Sequence, residues 1–155
     1  MKISKKFLIN ENNINQDENQ FFQTREDIEN WLNEYNIKNY TINDDLTVNV
    51  NDYVIISNKN LKVIPVKFGK VGGDFYCSKN QLTSLQGAPQ KVGGGFYCNV
   101  NQLTSLQGAP QEVGRDFYCG YNQLTSLQGA PQKVGGGFYC YENQLTSLQG
   151  APQEV

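Results

Sequence analysis

Apolar side chains in the second half of the chain return with a fixed period of 21 residues. Phe75, Phe96, Phe117 and Phe138 mark one column; Cys77, Cys98, Cys119 and Cys140 mark a second. Behind each cysteine come an asparagine (Asn80, Asn101, Asn122, Asn143) and the run Gln-Leu-Thr-Ser-Leu-Gln-Gly-Ala-Pro-Gln. Each unit closes on a valine, at Val92, Val113, Val134 and Val155. Moving back one period brings Val54 under Phe75, Ile56 under Cys77, Leu61 under Leu82, Ile64 under Leu85 and Val71 under Val92. In that preceding copy the apolar positions match and the polar ones do not, as in an atypical first coil of a stacked array.

Within a unit the triplet Phe75-Tyr76-Cys77 alternates, so a strand there turns Phe75 and Cys77 to one side and Tyr76 to the other. One coil cannot enclose its own Phe, Cys, Leu and Val side chains. Coils stacked in register, about 4.8 Å apart, bury them as continuous columns. Gly87, Ala88 and Pro89 on the return path oppose a helix. The predicted fold is a repeat solenoid, mostly β, with extended or short 3₁₀ return segments. It comprises one degenerate coil over 54–71 and four 21-residue units over 72–155.

Residues 1–53 predict a small α+β N-terminal cap. Thr24 stands as N-cap before Arg25-Glu26-Asp27, with acids in the first turn. Ile28, Trp31, Leu32 and Tyr35 then fall at i, i+3, i+4 and i+7, an amphipathic helix over about 24–36 that Asn36 ends. Short strands follow over 40–42, 46–50 and 53–56, separated by Asn-Asp turns. A solenoid end leaves apolar columns and a strand edge uncovered, and this segment is expected to cover them. Residues 10–20 are polar and predict a loop or disordered stretch.

The stretch Phe75-x-Cys77-x-x-Asn80-x-Leu82 fits the second part of the pattern L-x-x-L-x-L-x-x-N-x-L. On it the chain resembles bacterial and phage leucine-rich-repeat proteins, strongly over 71–155 and weakly over 50–70. It departs from their pattern where Val71 precedes Phe75 by four residues rather than three, with Gly72-Gly73 between. The resemblance implies a ladder of Asn80, Asn101, Asn122 and Asn143 with amides bonded to loop backbone, an expectation shared by the rule that buried amides find partners. It also implies a concave outward sheet face and, for a phage-borne chain, a host factor as partner.

The 155-residue chain carries a formal net charge of −2, and neither half is basic, which argues against a nucleic-acid partner. It has no histidine, so the usual general base and the usual metal ligand are missing. Phe7-Leu8-Ile9 is too short for a secretory signal, and no apolar run nears the roughly 20 residues that span a bilayer. A cytoplasmic protein without a membrane partner is expected, in the host cytoplasm if phage-encoded.

Four cysteines at fixed spacing raise the question of zinc or disulfides. Zinc ligands come as close pairs, and thiols stacked on parallel strands have poor disulfide geometry. A column of small buried thiols without metal is the expectation. Gly93-Gly94-Gly95 and Gly135-Gly136-Gly137 precede strands rather than helices, so they read as turns and not phosphate loops. No cofactor is expected.

Tyr76, Tyr97, Tyr118 and Tyr139 form a column on the outward face. Such a column stabilises a sheet by cross-strand stacking, and it also offers a binding strip of large area and low entropic cost. The four copies differ mainly around it: Asp74/Gly95/Asp116/Gly137, Gly73/Gly94/Arg115/Gly136, Ser78/Asn99/Gly120/Tyr141 and Lys79/Val100/Tyr121/Glu142. Lys91/Glu112/Lys133/Glu154 alternates on the far side, as if a 42-residue pair had been duplicated. Variation beside a constant scaffold suits a read-out surface; neutral drift at exposed positions is the plainer account.

The expected function is a non-enzymatic protein-interaction module. Its proposed contacts are Tyr76, Tyr97, Tyr118, Tyr139, Asp74, Asp116, Arg115, Lys79, Tyr121, Tyr141 and Glu142. The alternatives are a glycan-binding module, or a structural spacer or fragment of a longer array. Val155 is the last position of a coil, where the next Gly-Gly-x-Phe-Tyr-Cys would begin. Phe138, Cys140, Leu145 and Leu148 are therefore expected to be poorly covered, with end-to-end self-association or a longer array as competing consequences.

Overall fold

The computed structural model describes residues 20–155. The N-terminal segment read for a targeting signal, and all but the last residue of the polar 10–20 stretch, lie outside the described residues. The cap opens with α1 (Arg25–Glu34), followed by β1 (Tyr40–Ile42) and β2 (Val48–Val50). The coils supply β3 (Val54–Ile55), β4 (Phe68–Val71), β5 (Phe75–Tyr76), β6 (Lys91–Val92), β7 (Phe96–Tyr97), β8 (Glu112–Val113), β9 (Phe117–Tyr118), β10 (Lys133–Val134) and β11 (Phe138–Tyr139).

These strands make a β-solenoid with two parallel walls. One sheet runs β3-β5-β7-β9-β11, with Val54, Phe75, Phe96, Phe117 and Phe138 in register. The other runs β1-β2-β4-β6-β8-β10; all its pairs are parallel except β1 with β2. The Phe-Tyr strands are those the alternation predicts, each ending one residue before its cysteine. The second wall is a departure. Sequence alternation marked Val92, Val113 and Val134 only as core positions on an extended return, whereas each ends a two-residue strand. A strand that short shows one alternation, too little for periodicity to reveal.

The glycines explain the spacing of four residues between Val71 and Phe75. Gly72, Gly93, Gly114 and Gly135 turn the chain from one wall to the other, and they stack on one another so closely that a Cβ on Gly114 would run into the Gly93 carbonyl. The return turn needs a second glycine. Gly87, Gly108, Gly129 and Gly150 hold φ of 90 to 96°, where a side chain is strained.

Between the walls lies one continuous core. The rings of Phe75, Phe96, Phe117 and Phe138 stack at 5.4, 5.4 and 5.2 Å between centroids. The first three are fully buried, each side chain contributing about 1.5–3 kcal/mol by removal from water. Leu82, Leu85, Leu103, Leu106, Leu124 and Leu127 are buried with them. Asparagines tie the coils together. Asn101 Nδ2 donates to the carbonyls of Cys77 and Cys98 (both 3.1 Å), and its Oδ1 accepts from Leu82 N (2.9 Å). Asn80, Asn122 and Asn143 repeat that arrangement, so the expected ladder is present and its amides are satisfied.

The cap joins this core directly. Thr24 accepts a hydrogen bond from Asp27 N, and Asn36, at φ 55°, follows the helix end as the sequence suggested. Ile28, Trp31 and Leu32 are buried. Trp31 stands 6.3 Å from Phe68, which meets Phe75 edge-on at 5.2 Å, so the aromatic column runs from the helix into the coils. Arg25 donates to the carbonyls of Ile42 and Asn43, fixing α1 to the end of β1. Val50 pairs with Val71 one period later, so β2 already belongs to the solenoid wall and β1 lies on its outer side. At the opposite end Phe138, Cys140 and Leu145 are half-buried, and Leu148 is 70% exposed.

Candidate functional site

Parallel in-register strands place Tyr76, Tyr97, Tyr118 and Tyr139 one above another on the outer side of the Phe-Tyr wall. Their rings stack at 4.5, 5.2 and 4.3 Å between centroids, within 15° of coplanar. Stacking covers the ring faces, and the hydroxyls lie toward the strand-entry residues, Tyr76 Oη on Asp74 and Tyr97 Oη over Gly95. The first three are half-buried and Tyr139 is exposed. Ile55 pairs with Tyr76 and is exposed, so the column continues one coil further toward the cap. Sequence reasoning had aligned Val54 with Phe75 but left Ile55 out of the site; the same 21-residue shift would have found it.

The uneven spacing of the ladder follows from the strand-entry residues. Asp74 Oδ1 accepts from Gly95 N at 2.7 Å, and Asp116 Oδ1 accepts from Gly137 N at 2.7 Å. The tyrosines of the glycine coils lean over the bare Cα: a Cβ on Gly95 would lie 2.7 Å from Tyr97 Oη. Coils therefore associate in Asp–Gly pairs, and the two short ring spacings fall within pairs. The far wall carries the same two-coil period, with Lys91 Nζ 2.9 Å from Glu112 Oε2 and Lys133 beside Glu154.

Tyr76 donates its hydroxyl to Asp74 Oδ2 at 3.0 Å. Partial burial, then this bond and the carboxylate charge, push its pKa up to about 12. Tyr97 is raised by burial and by the charges of Asp74 and Asp116, with Arg115 acting against them. Tyr118 is raised by burial, then by Tyr139 and Asp116. At neutral pH Tyr76, Tyr97 and Tyr118 are thus protonated phenols, flanked at the strand entry by Asp74, Asp116 and Arg115.

The strand exit carries the second flank. Lys79, Val100, Tyr121 and Glu142 occupy equivalent positions, each at φ of 53 to 59°, as does Asn58 in the degenerate coil at φ 57°. Left-handed backbone costs an L-residue roughly 1–2 kcal/mol, and a β-branched one is an outlier there. All four side chains are exposed. Tyr141 lies over Gly120 and meets Tyr121 edge-on at 5.5 Å, the two being 48% and 54% exposed. The ladder tyrosines share one face; Asp74, Asp116 and Arg115 adjoin it at the strand entry, and Lys79, Tyr121, Tyr141 and Glu142 follow at the strand exit, exposed.

The cysteines sit on the inner side. All four are free thiols; Cys77, Cys98 and Cys119 are buried, and burial raises each of these three well above the usual thiol range. Their thiolates are disfavoured, which suits packing rather than nucleophilic chemistry. No group of three or more metal-ligating side chains occurs among the described residues, and none of their helices is long and apolar enough to cross a membrane. Comparison with protein-family models, with curated proteins and with solved structures returns no match.

Proposed function

We propose that this chain is a non-enzymatic interaction module that binds a protein partner through the outer face of its Phe-Tyr wall. One observation supports this above the rest. The face carries a stacked tyrosine row, and most positions at which the coils differ chemically adjoin its strands, the Lys/Glu alternation of the far wall apart. Tyrosine edges and hydroxyls give contact area and hydrogen bonds with little side-chain entropy left to lose. Residues that differ from coil to coil then supply discrimination. A glycan reading calls for open ring faces, and here the ladder tyrosines cover one another, leaving Tyr139, Tyr121 and Tyr141 as the accessible rings.

The test is a side-by-side capture with the whole chain and with the Tyr97→Ser/Tyr118→Ser double variant, followed by mass spectrometry and a glycan array. A protein retained by the parent chain and lost by the variant supports the reading. Capture that the variant retains unchanged moves the site off this face, and array binding without a protein partner replaces the reading with the glycan one.

A further inference from the structure

The strand-exit row has an order that the ladder lacks. From the cap outward it reads Lys79, Val100, Tyr121 and Glu142: cation, aliphatic, aromatic, anion. Lys59, also exposed, adds a second cation at the cap end. Neither the Lys79 ammonium nor the Glu142 carboxylate has an ion-pair partner among the described residues. Val100 is 40% exposed. The row therefore presents a positive end, an apolar middle and a negative end along the solenoid axis.

The backbone makes this composition informative. Every residue of the row is left-handed, a conformation that glycine, or asparagine as at Asn58, adopts with least strain. The adjoining ladder position is asparagine in all four coils, and the return run after it is also identical. At this one position the regular coils carry neither glycine nor asparagine, and one carries valine, the shape least suited to it. Local folding preference thus runs against these four side chains, while their exposure and charge order suit an external partner.

We infer that the row is the specificity edge of the interaction face and that its occupant is an extended polypeptide segment lying along the solenoid axis. That segment carries an acidic side chain at the Lys79 end, an apolar or aromatic one over Val100 and Tyr121, and a basic one at Glu142. The inference rests on the interaction reading above and deepens it. Lys79 and Glu142 are three coils apart, about 14 Å at the spacing of paired strands, which an extended chain covers in roughly four to five residues. The acid and base of the bound segment are separated accordingly. The tyrosine ladder lies beside that track and supplies contact common to any sequence; the row selects among sequences by charge order.

The experiment is a selection of random displayed dodecapeptides on the whole chain, repeated on Lys79→Glu/Glu142→Lys. Peptides selected on the parent should carry an acid and a base four or five residues apart around an apolar residue. They should lose at least tenfold in affinity for the swapped variant, which should select the reversed charge order. Val100→Asn should melt higher than the parent yet bind the selected peptides more weakly, a pairing that a purely structural position would not show. Peptides that need Tyr97 and Tyr118 but bind the swapped variant equally well overturn the charge order and leave the interaction reading in place. Selections yielding no binder sensitive to either row overturn both.

Discussion

The Asp74 carboxylate reaches across one coil boundary to accept the Gly95 backbone N–H at 2.7 Å, while its other oxygen takes the Tyr76 hydroxyl at 3.0 Å. One side chain thus fixes the start of a strand, orients a ladder tyrosine and joins two coils. Asp116 makes the same backbone contact to Gly137. The two-coil period in the sequence is therefore a pairing device. An aspartate needs a neighbour without a Cβ, because the next tyrosine ring lies over that spot. Asp74→Ala leaves the Gly95 N–H without its partner and should cost about 1–3 kcal/mol in urea unfolding, with Asp74→Asn costing less because an acceptor remains. Equal stability of the two variants would mean that water replaces the carboxylate without penalty.

Burial, reinforced at Tyr76 and Tyr97 by the Asp74 carboxylate, gives the ladder an alkaline signature. Tyr76, Tyr97 and Tyr118 all have raised pKa values, Tyr76 reaching about 12. A folded-state pKa above the unfolded value near 10 means stability that is fully present below pH 10 and lost as pH rises through the folded pKa. Unfolding free energy should hold steady up to about pH 10 and fall between about pH 10 and 12. Phenolate absorbance should show a late-titrating tyrosine that moves to lower pH in Asp74→Asn. A single ordinary titration of all tyrosines near pH 10 would contradict the ladder's environment.

Trp31 is 2% exposed and connects the helix to Phe68 at the head of the aromatic column. Removing it opens a large void between cap and coils. Trp31→Ala should cost about 3–5 kcal/mol, read from the urea midpoint at unchanged slope. A loss under about 1 kcal/mol would mean that α1 is only loosely attached.

The Phe, Cys, Leu and Asn columns were legible because each repeats four times at one spacing, so a single alternation in Phe75-Tyr76-Cys77 was confirmed by its copies. The cap helix was legible through Thr24 and the stripe Ile28, Trp31, Leu32. The second wall was hidden. Lys91-Val92 is too short to show a period, and the glycines that turn the chain into Phe96 carry no hydrophobic signal. The left-handed row was hidden for the opposite reason: Lys79, Val100, Tyr121 and Glu142 have nothing in common as side chains, and what they share is a backbone angle. Their place on a face was readable from the repeat, but their conformation was not. The Asp–Gly pairing showed only as variation, since its cause is a contact between residues 21 apart.

The thiol column offers a measurement of how protection changes along the stack. Cys77, Cys98 and Cys119 are buried and Cys140 is half-buried. Buried thiols react only when their coil opens, because the thiolate is the reactive form and burial disfavours it. A thiol reagent at pH 8 under native conditions should label one cysteine quickly and three slowly, and peptide mapping should place the fast one at Cys140. Unfolding in denaturant without reductant should release all four at one rate. The slow three should quicken in Trp31→Ala, because loosening the cap opens the stack at the other end, with Cys77 gaining more than Cys119. Four equally fast thiols in the native protein would contradict the buried column, and a count below four after unfolding would contradict free thiols.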